Sequence, residues 1–216
     1  MKYLKLFSVI SICLLSNVAD AQMKHFFMML PAECTPDLSR KEKEILIADG
    51  KFQHILENSS EDFYYTLSAN QLPDYLIYNQ QLLDQDNGYR SFELKKLVHN
   101  NDSIIIFSRS LGFGYLFKQT TLKVFEIGKD TLIESTKYNL PAQIDGDEFV
   151  KLGVPDSMKA MIHAAPNYGY ILATESTNTI EYKIVMPLWG INNWMTLYAL
   201  SIYWDGEVFT KSLLKE

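Results

Sequence analysis

Leu122-Lys123-Val124-Phe125-Glu126-Ile127-Gly128 and Leu200-Ser201-Ile202-Tyr203-Trp204-Asp205-Gly206 share one pattern, Leu-x-β-branched-aromatic-x-x-Gly, and stand 78 residues apart. The same displacement pairs Phe92 with Tyr170, Leu94 with Leu172, Asn100 with Asn178 and Gly112 with Gly190. It also lays the apolar run Ile104–Phe107 on Tyr182–Val185. A fixed period of this kind marks a duplicated supersecondary unit.

Outward from these two stretches, each copy reads as four antiparallel strands. In the first copy they fall at about 90–98, 103–110, 119–127 and 130–136; in the second at about 168–176, 179–187, 194–204 and 207–213. Their connections are short and rich in Asn, Asp, Ser and Gly, as hairpin turns require. The segment 139–166 joins the copies and holds Pro141, Gly146, Gly153, Pro155 and Pro166. Within it Asp156–His163 predicts a short helix opened by Pro155 or Asp156.

Ahead of the first copy the pattern changes. Residues 23–50 read as helix interrupted at Pro31. Ser39 and Glu42 form a capping box before an apolar run that Gly50 ends. Asp62–Leu67 reads as a strand, while 72–83 fits a helix face or a strand equally. The expected fold is α+β: mainly antiparallel β with short N-terminal helices and tandem four-stranded units at offset 78. The expected division is a leader at 1–21, an N-terminal helical segment at 22–60, a first β unit at 61–138, and a linker with the second β unit at 139–216, all packed as one body.

The leader reading rests on Lys2 and Lys5, an apolar stretch over Leu6–Leu15 and the small-x-small triplet Ala19-Asp20-Ala21, which is the form of a secretory signal. The apolar stretch is too short to span a bilayer. A lipid-anchoring cut at Cys13 is disfavoured because bulky Ile12 precedes it. Cleavage leaves Cys34 as the one cysteine, so no internal disulfide is expected, and the residue reads as a small buried apolar side chain. An exported chain without disulfides fits a Gram-negative periplasm or cell surface. Cleavage also takes two of the 20 basic and one of the 26 acidic residues, leaving 18 against 25 and a net charge of −7. Only Arg40, Arg90 and Arg109 are arginines, which disfavours nucleic acid as a partner.

No motif for chemistry stands out. The histidines, His25, His54, His99 and His163, show no zinc-hydrolase spacing. Asp84-Gln85-Asp86-Asn87-Gly88 fails as a calcium loop, since the frame puts Lys95 where the bidentate Glu should stand. No nucleophile elbow, Walker or dinucleotide pattern occurs. No metal and no cofactor is expected. Asp145-Gly146-Asp147-Glu148 is an acidic loop.

Two features point to binding or modification. Leu111–Phe117 and Trp189–Trp194 fall between the second and third strands of each copy and carry Phe113, Tyr115, Trp189 and Trp194. Aromatics on glycine-flexed loops make protein- or glycan-binding surfaces. Ser103, Thr131 and Ser157 each follow Asp and precede an aliphatic residue, which is the form of an O-glycosylation acceptor in some periplasmic proteins.

Phe27-Met28-Met29-Leu30-Pro31, Pro36-Asp37-Leu38-Ser39, the strands Phe92–Leu97 and Ser103–Arg109, Leu122–Phe125 and the closing Tyr203–Phe209 occur in an order that carries a resemblance. The chain resembles a family of signal-bearing proteins of Gram-negative bacteria known as a domain of unknown function. The resemblance implies location and shape only. It departs from that family's pattern at Gly112-Phe113-Gly114, where a Gly-Pro turn is expected. The tandem layout is also similar to that of secreted β-lactamase-inhibitor-type proteins. The expected role is an exported, soluble, non-enzymatic binding scaffold of the cell envelope, with an unknown protein or glycan as ligand. The alternatives are a small periplasmic hydrolase using carboxylates and an envelope assembly factor.

Overall fold

Met23, Phe26, Phe27 and Leu30 recur at the i, i+3, i+4, i+7 spacing of one helix face, and all four are buried. The first three belong to helix α1, residues 21–29, and Leu30 follows it directly. The computed structural model describes residues 21–55, 62–68, 72–82, 88–113, 116–138, 140–141, 143–165, 167–187 and 194–214. A 3-10 turn at Ala32–Cys34 leads to α2 (Arg40–Asp49). Ser39 and Glu42 close the capping box on α2 in both directions, and Gly50 ends the helix in the left-handed region at φ 69°.

The strands are β1 (Lys51–Ile55), β2 (Asp62–Ser68), β3 (Tyr75–Leu82), β4 (Gly88–His99), β5 (Asp102–Phe113), β6 (Leu116–Ile127), β7 (Leu132–Glu134), β8 (Asn167–Ile171), β9 (Thr179–Pro187), β10 (Trp194–Trp204) and β11 (Phe209–Leu213). Between β7 and β8 come α3 (Gly146–Lys151), a 3-10 turn at Asp156–Met158 and α4 (Lys159–His163). The structure is mostly antiparallel β with a few short helices, the class expected. No described helix is long and apolar enough to cross a membrane.

Strands β1 to β6 pair in sequence order, with β7 returning along β6; β8 to β11 pair in order as well. The two runs meet at one parallel pair, Lys118 with Tyr168. Three strands therefore precede the four that the repeat predicts, and they extend the first run to its β1 edge. β3 settles the ambiguous 72–83 segment as strand.

The first run is covered on both faces. Its outer face carries Tyr65, Leu76, Tyr78, Phe92, Leu94, Ile105, Phe107 and Phe125 against α1, Cys34 and Leu46 of α2. Tyr78 and Phe92 stack at 4.2 Å. Lys43 of α2 is buried, donates to the carbonyl of Leu30 (3.2 Å) and lies over the Phe27 ring, fixing the two helices together. The inner face carries Tyr75, Leu97, Ile104, Ile106 and Val124, which join Tyr170, Tyr182, Ile184, Leu200, Ile202 and Trp204 of the second run and Phe149 and Ile162 of α3 and α4. β5 thus reads Ile104-Ile105-Ile106-Phe107, buried on both sides, whereas β9 alternates between buried Ile180, Tyr182, Ile184 and partly exposed Glu181 and Lys183. Each fully buried aliphatic or aromatic side chain contributes about 1.5–3 kcal/mol.

The second run closes over the inner face through the segment 172–178. The N–H of Val98 donates to Thr177 O (2.8 Å), and the N–H of Trp204 donates to Asn178 O (2.9 Å). β3 begins at Tyr75, opposite Lys95, so this segment takes up the edge of β4 beyond it. At the far end His99 meets Tyr203, ring on edge, with Tyr203 Oη and His99 Nδ1 3.3 Å apart.

Candidate functional site: a polar row on the inner face

One line of paired residues crosses the first run: Lys51 with Thr66, Thr66 with Asn79, Asn79 with Ser91, Ser91 with Ser110, and Ser110 with Gln119. Directly paired residues share a face. This row lies on the inner face, since Ser91 alternates with Phe92 and follows the parity of Leu97. Gln119 belongs to it because of a bulge. Arg109 pairs with Thr121 and Ser110 with Gln119, so Thr120 is the extra residue and the parity of β6 flips there. Thr120 is held at the bulge by Arg109, whose Nε donates to Thr120 Oγ1 (3.2 Å).

Gln119, turned inward, is buried and well partnered. Its Nε2 donates to Ser108 Oγ (3.1 Å), and its Oε1 accepts from the N–H of Tyr170 (3.1 Å), carrying the row across the seam onto β8. Ser110 differs: its hydroxyl is buried, with the residue 1% exposed, and has no hydrogen-bond partner among the described residues. A buried hydroxyl without a partner costs about 1–3 kcal/mol.

The adjacent row pairs Glu93 with Ser108. Tyr75 Oη donates to Glu93 Oε2 (2.9 Å), and the N–H of Leu172 also donates to that carboxyl. Burial outweighs these bonds and pushes the carboxyl up to about 6. The next inward position of β4 is Lys95, fully buried, which forms an ion pair with Asp74 (2.9 Å) and donates to Thr174 O (2.8 Å). Two alternate side chains of β4 therefore hold the segment 172–174 against the sheet.

Toward the other end the face opens. Tyr89 pairs with Gly112, and the ring of Tyr89 lies across the glycine: a Cβ at residue 112 would stand 2.0 Å from its Cζ and 2.5 Å from its hydroxyl oxygen. Tyr89 is 39% exposed, against 7% for Ser91 in the row behind it. Gln81, beside Tyr89 in β3, is exposed. Exposure falls along this face from an open tyrosine to buried Ser91, Ser110 and Gln119. The described cations near this end are committed elsewhere: Arg90 reaches Asp37 and Gln80 on the outer face, and Lys95 is paired with Asp74.

Of the residues that the sequence marks for binding, Tyr115 and Trp189 lie outside the described residues, and the side chains of Phe113 and Trp194 do as well. The backbone corrects their setting. Phe113 pairs with Leu116, so β5 and β6 run on as strand to within two residues of each other, and Leu111–Phe117 is not an open loop. Trp194 opens β10, paired with Pro187. Among the marked hydroxyls, Ser103 is a half-buried residue of β5, while Thr131, in the β6–β7 turn, and Ser157, in a 3-10 turn, are exposed. Cys34 is buried, and burial pushes its thiol up to about 11. His54 binds Glu42 (3.0 Å) and so ties β1 to α2.

A concavity of about 470 Å³ is lined by Asp145, Asp147, Asp156, Lys159, Ala160 and His163. Asp145 caps α3 by accepting from the N–H of Asp147, and Lys159 forms an ion pair with Asp147. Among the described residues no group of three or more His, Cys, Asp or Glu is arranged to hold a metal.

The row was not legible in the sequence. In β4, polar Ser91, Glu93 and Lys95 alternate with apolar Phe92 and Leu94, the pattern of a strand with one face in water. Only the closure of the second run over that face buries Ser91 and Lys95 and half-buries Glu93.

No protein-family model, no curated protein and no solved structure matches this chain.

Proposed function

We propose that the protein is an exported, non-enzymatic binding protein that seats its ligand on the inner face of β3 to β6, along the row Asn79, Ser91, Ser110 and Gln119. The observation that carries this reading is the Ser110 hydroxyl, buried at the closed end of a face that opens at Tyr89 and left without a partner among the described residues. A buried polar atom without a partner calls for an explanation, and a bound ligand is the one that suits its place behind the exposed Tyr89. The tandem architecture supports a scaffold role. β4–β7 and β8–β11 follow the same order. A four-residue turn separates the pair Ile127–Leu132 in one and Trp204–Phe209 in the other. Those turns are displaced by 77 residues, one fewer than the sequence period. Bulges at Thr120 and Leu197 interrupt the third strand of each unit at nearly matching places.

Native mass spectrometry of the protein extracted from its own envelope tests the seat. Expected is a retained small molecule that is lost in Ser110→Val, with the melting temperature of the variant no lower. Absence of any retained mass, together with a raised melting temperature for Ser110→Val, would make Ser110 a mere packing fault. The same spectrum reads the modification proposal, since a polypeptide mass equal to the bare mature chain excludes glycans on Ser103, Thr131 and Ser157.

A hydrolase is the second reading, favoured by the raised carboxyl of Glu93. Against it, the other described carboxylate on this face, Asp74, is engaged by Lys95. Release of a nitrophenol from nitrophenyl glycosides that disappears in Glu93→Gln would establish it.

A further inference from the structure

We propose that the ligand of this seat is a neutral saccharide, one pyranose ring of which stacks on Tyr89 while its hydroxyls reach Ser110 and Ser91; the proposal rests on the seat described above and names its ligand class. Three observations converge. Tyr89 lies across Gly112 with 39% of its surface open, so the sheet backbone supports the ring from beneath and leaves aromatic surface for a sugar. The stretch of the row from β3 to β6 carries neutral groups that both donate and accept, namely Asn79, Ser91, Ser110 and Gln119. Positions 89 and 91, and likewise 112 and 110, are two residues apart in a strand, about 7 Å at ~3.4 Å per residue, which is the scale of one pyranose from stacked face to distal hydroxyl.

Charge narrows the class. An anionic ligand needs an available cation, and the described cations nearest Tyr89 and Ser110, Arg90 and Lys95, are held by Asp37 and Asp74, while Lys51 stands at the far end of the row, three strands away from Ser91. Glu93, in the adjacent row, adds negative charge when ionised. A ligand with carboxylate, sulfate or phosphate groups is therefore repelled, and an uncharged polyol is accepted. The burial gradient sets the direction of entry: the sugar approaches over Gln81 and Tyr89 and puts its terminal hydroxyls on the closed end at Ser110.

Gly112 supplies the diagnostic variant. Its backbone is not in the left-handed region, and the atoms that a new Cβ would strike are the far end of the flexible Tyr89 side chain. Gly112→Ala must therefore swing the ring off the sheet at little cost to folding. The experiment is calorimetric titration of the full mature protein with laminarihexaose, cellohexaose, chitohexaose and maltohexaose to about 1 mM, with hexagalacturonate and a hexa-alanine peptide as the charged and peptidic probes. Expected is binding of at least one neutral hexasaccharide and none of hexagalacturonate. Gly112→Ala and Tyr89→Ala should each weaken that binding about tenfold or more, with Tyr89→Phe within about threefold of wild type and the Gly112→Ala melt unchanged. If no neutral hexasaccharide binds, or if Gly112→Ala melts normally and binds as wild type does, the saccharide assignment is wrong. Binding of hexagalacturonate or the peptide that Ser110→Val abolishes would overturn the ligand class and leave the seat standing. Binding of no probe, with no retained mass in the native protein, would remove both.

Discussion

Lys95 Nζ lies 2.9 Å from Asp74 Oδ2 with the lysine side chain fully withdrawn from water. Such a pair is maintained because each charge is uncompensated without the other. Asp74→Ala leaves the ammonium with only Thr174 O, and the expected loss is about 3–5 kcal/mol by urea unfolding. The double replacement Asp74→Leu with Lys95→Met should recover most of it. Equal loss in the single and double variants would mean that packing, and not charge, sets the requirement.

Glu93 gives the fold a pH dependence of its own. Its carboxyl titrates at about 6 when folded and at about 4.3 in an unfolded chain. The folded state thus holds the proton more tightly, so this residue's contribution is most favourable below about pH 4.3 and weakens as pH rises through about 6. The difference in stability between wild type and Glu93→Gln should move by about 2 kcal/mol across that window, the variant gaining on the wild type toward neutral pH. Melts of both proteins at several pH values check it; a constant difference would mean that Glu93 is not buried as described.

The capping box on α2 is measurable in isolation. Ser39 Oγ accepts from the N–H of Glu42, and Glu42 Oε2 accepts from the N–H of Ser39. Ser39→Ala should cost about 1 kcal/mol, and Ser39→Asp should restore it. Equal midpoints for Ser39→Ala and wild type would show α2 to be held by Leu46 and Lys43 alone.

Cys34 should resist alkylation in the native protein at neutral pH and react stoichiometrically in urea, because its thiol is both covered and pushed up to about 11. Mass spectrometry after iodoacetamide reads this directly. Rapid labelling of the folded chain would place the residue at the surface.

How far the sequence determines these features depends on how local each one is. The capping box, the end of α2 at Gly50 and the hairpin between His99 and Asp102 follow from a few adjacent residues, and the sequence marks them. Asn100 even takes the left-handed turn that its residue type allows. Strands near β4 to β11 were legible from apolar runs and turn residues, as was the helical character of 156–163. β3 was not, since Tyr75-Leu76-Ile77-Tyr78 is buried or half-buried on both faces and so shows no period. The candidate site was hidden for a different reason. Gln119 faces inward only because Thr120 bulges, and the inner face that carries Ser91 and Ser110 is covered only because the second run, far along the chain, packs on it, as Tyr170 on Gln119 and Thr177 on Val98 show. The loop aromatics attracted notice by composition, which says nothing of the register that makes Phe113 a strand residue.

The two cores differ in when they can form. The core beneath α1 and α2 draws on residues from Met23 to Leu132 and none later among those described, whereas the inner core requires Trp204. A chain emerging N-terminus first can therefore seal one side of β3–β6 while Leu97, Ile104, Ile106 and Val124 still face water on the other. Until the last seventy or so residues arrive, the protein is a half-covered sheet with a greasy face, the kind of species that sticks to its own copies. Such a chain calls for a holdase over that face until it is complete, and truncation after β7 should yield inclusion bodies in place of a smaller domain.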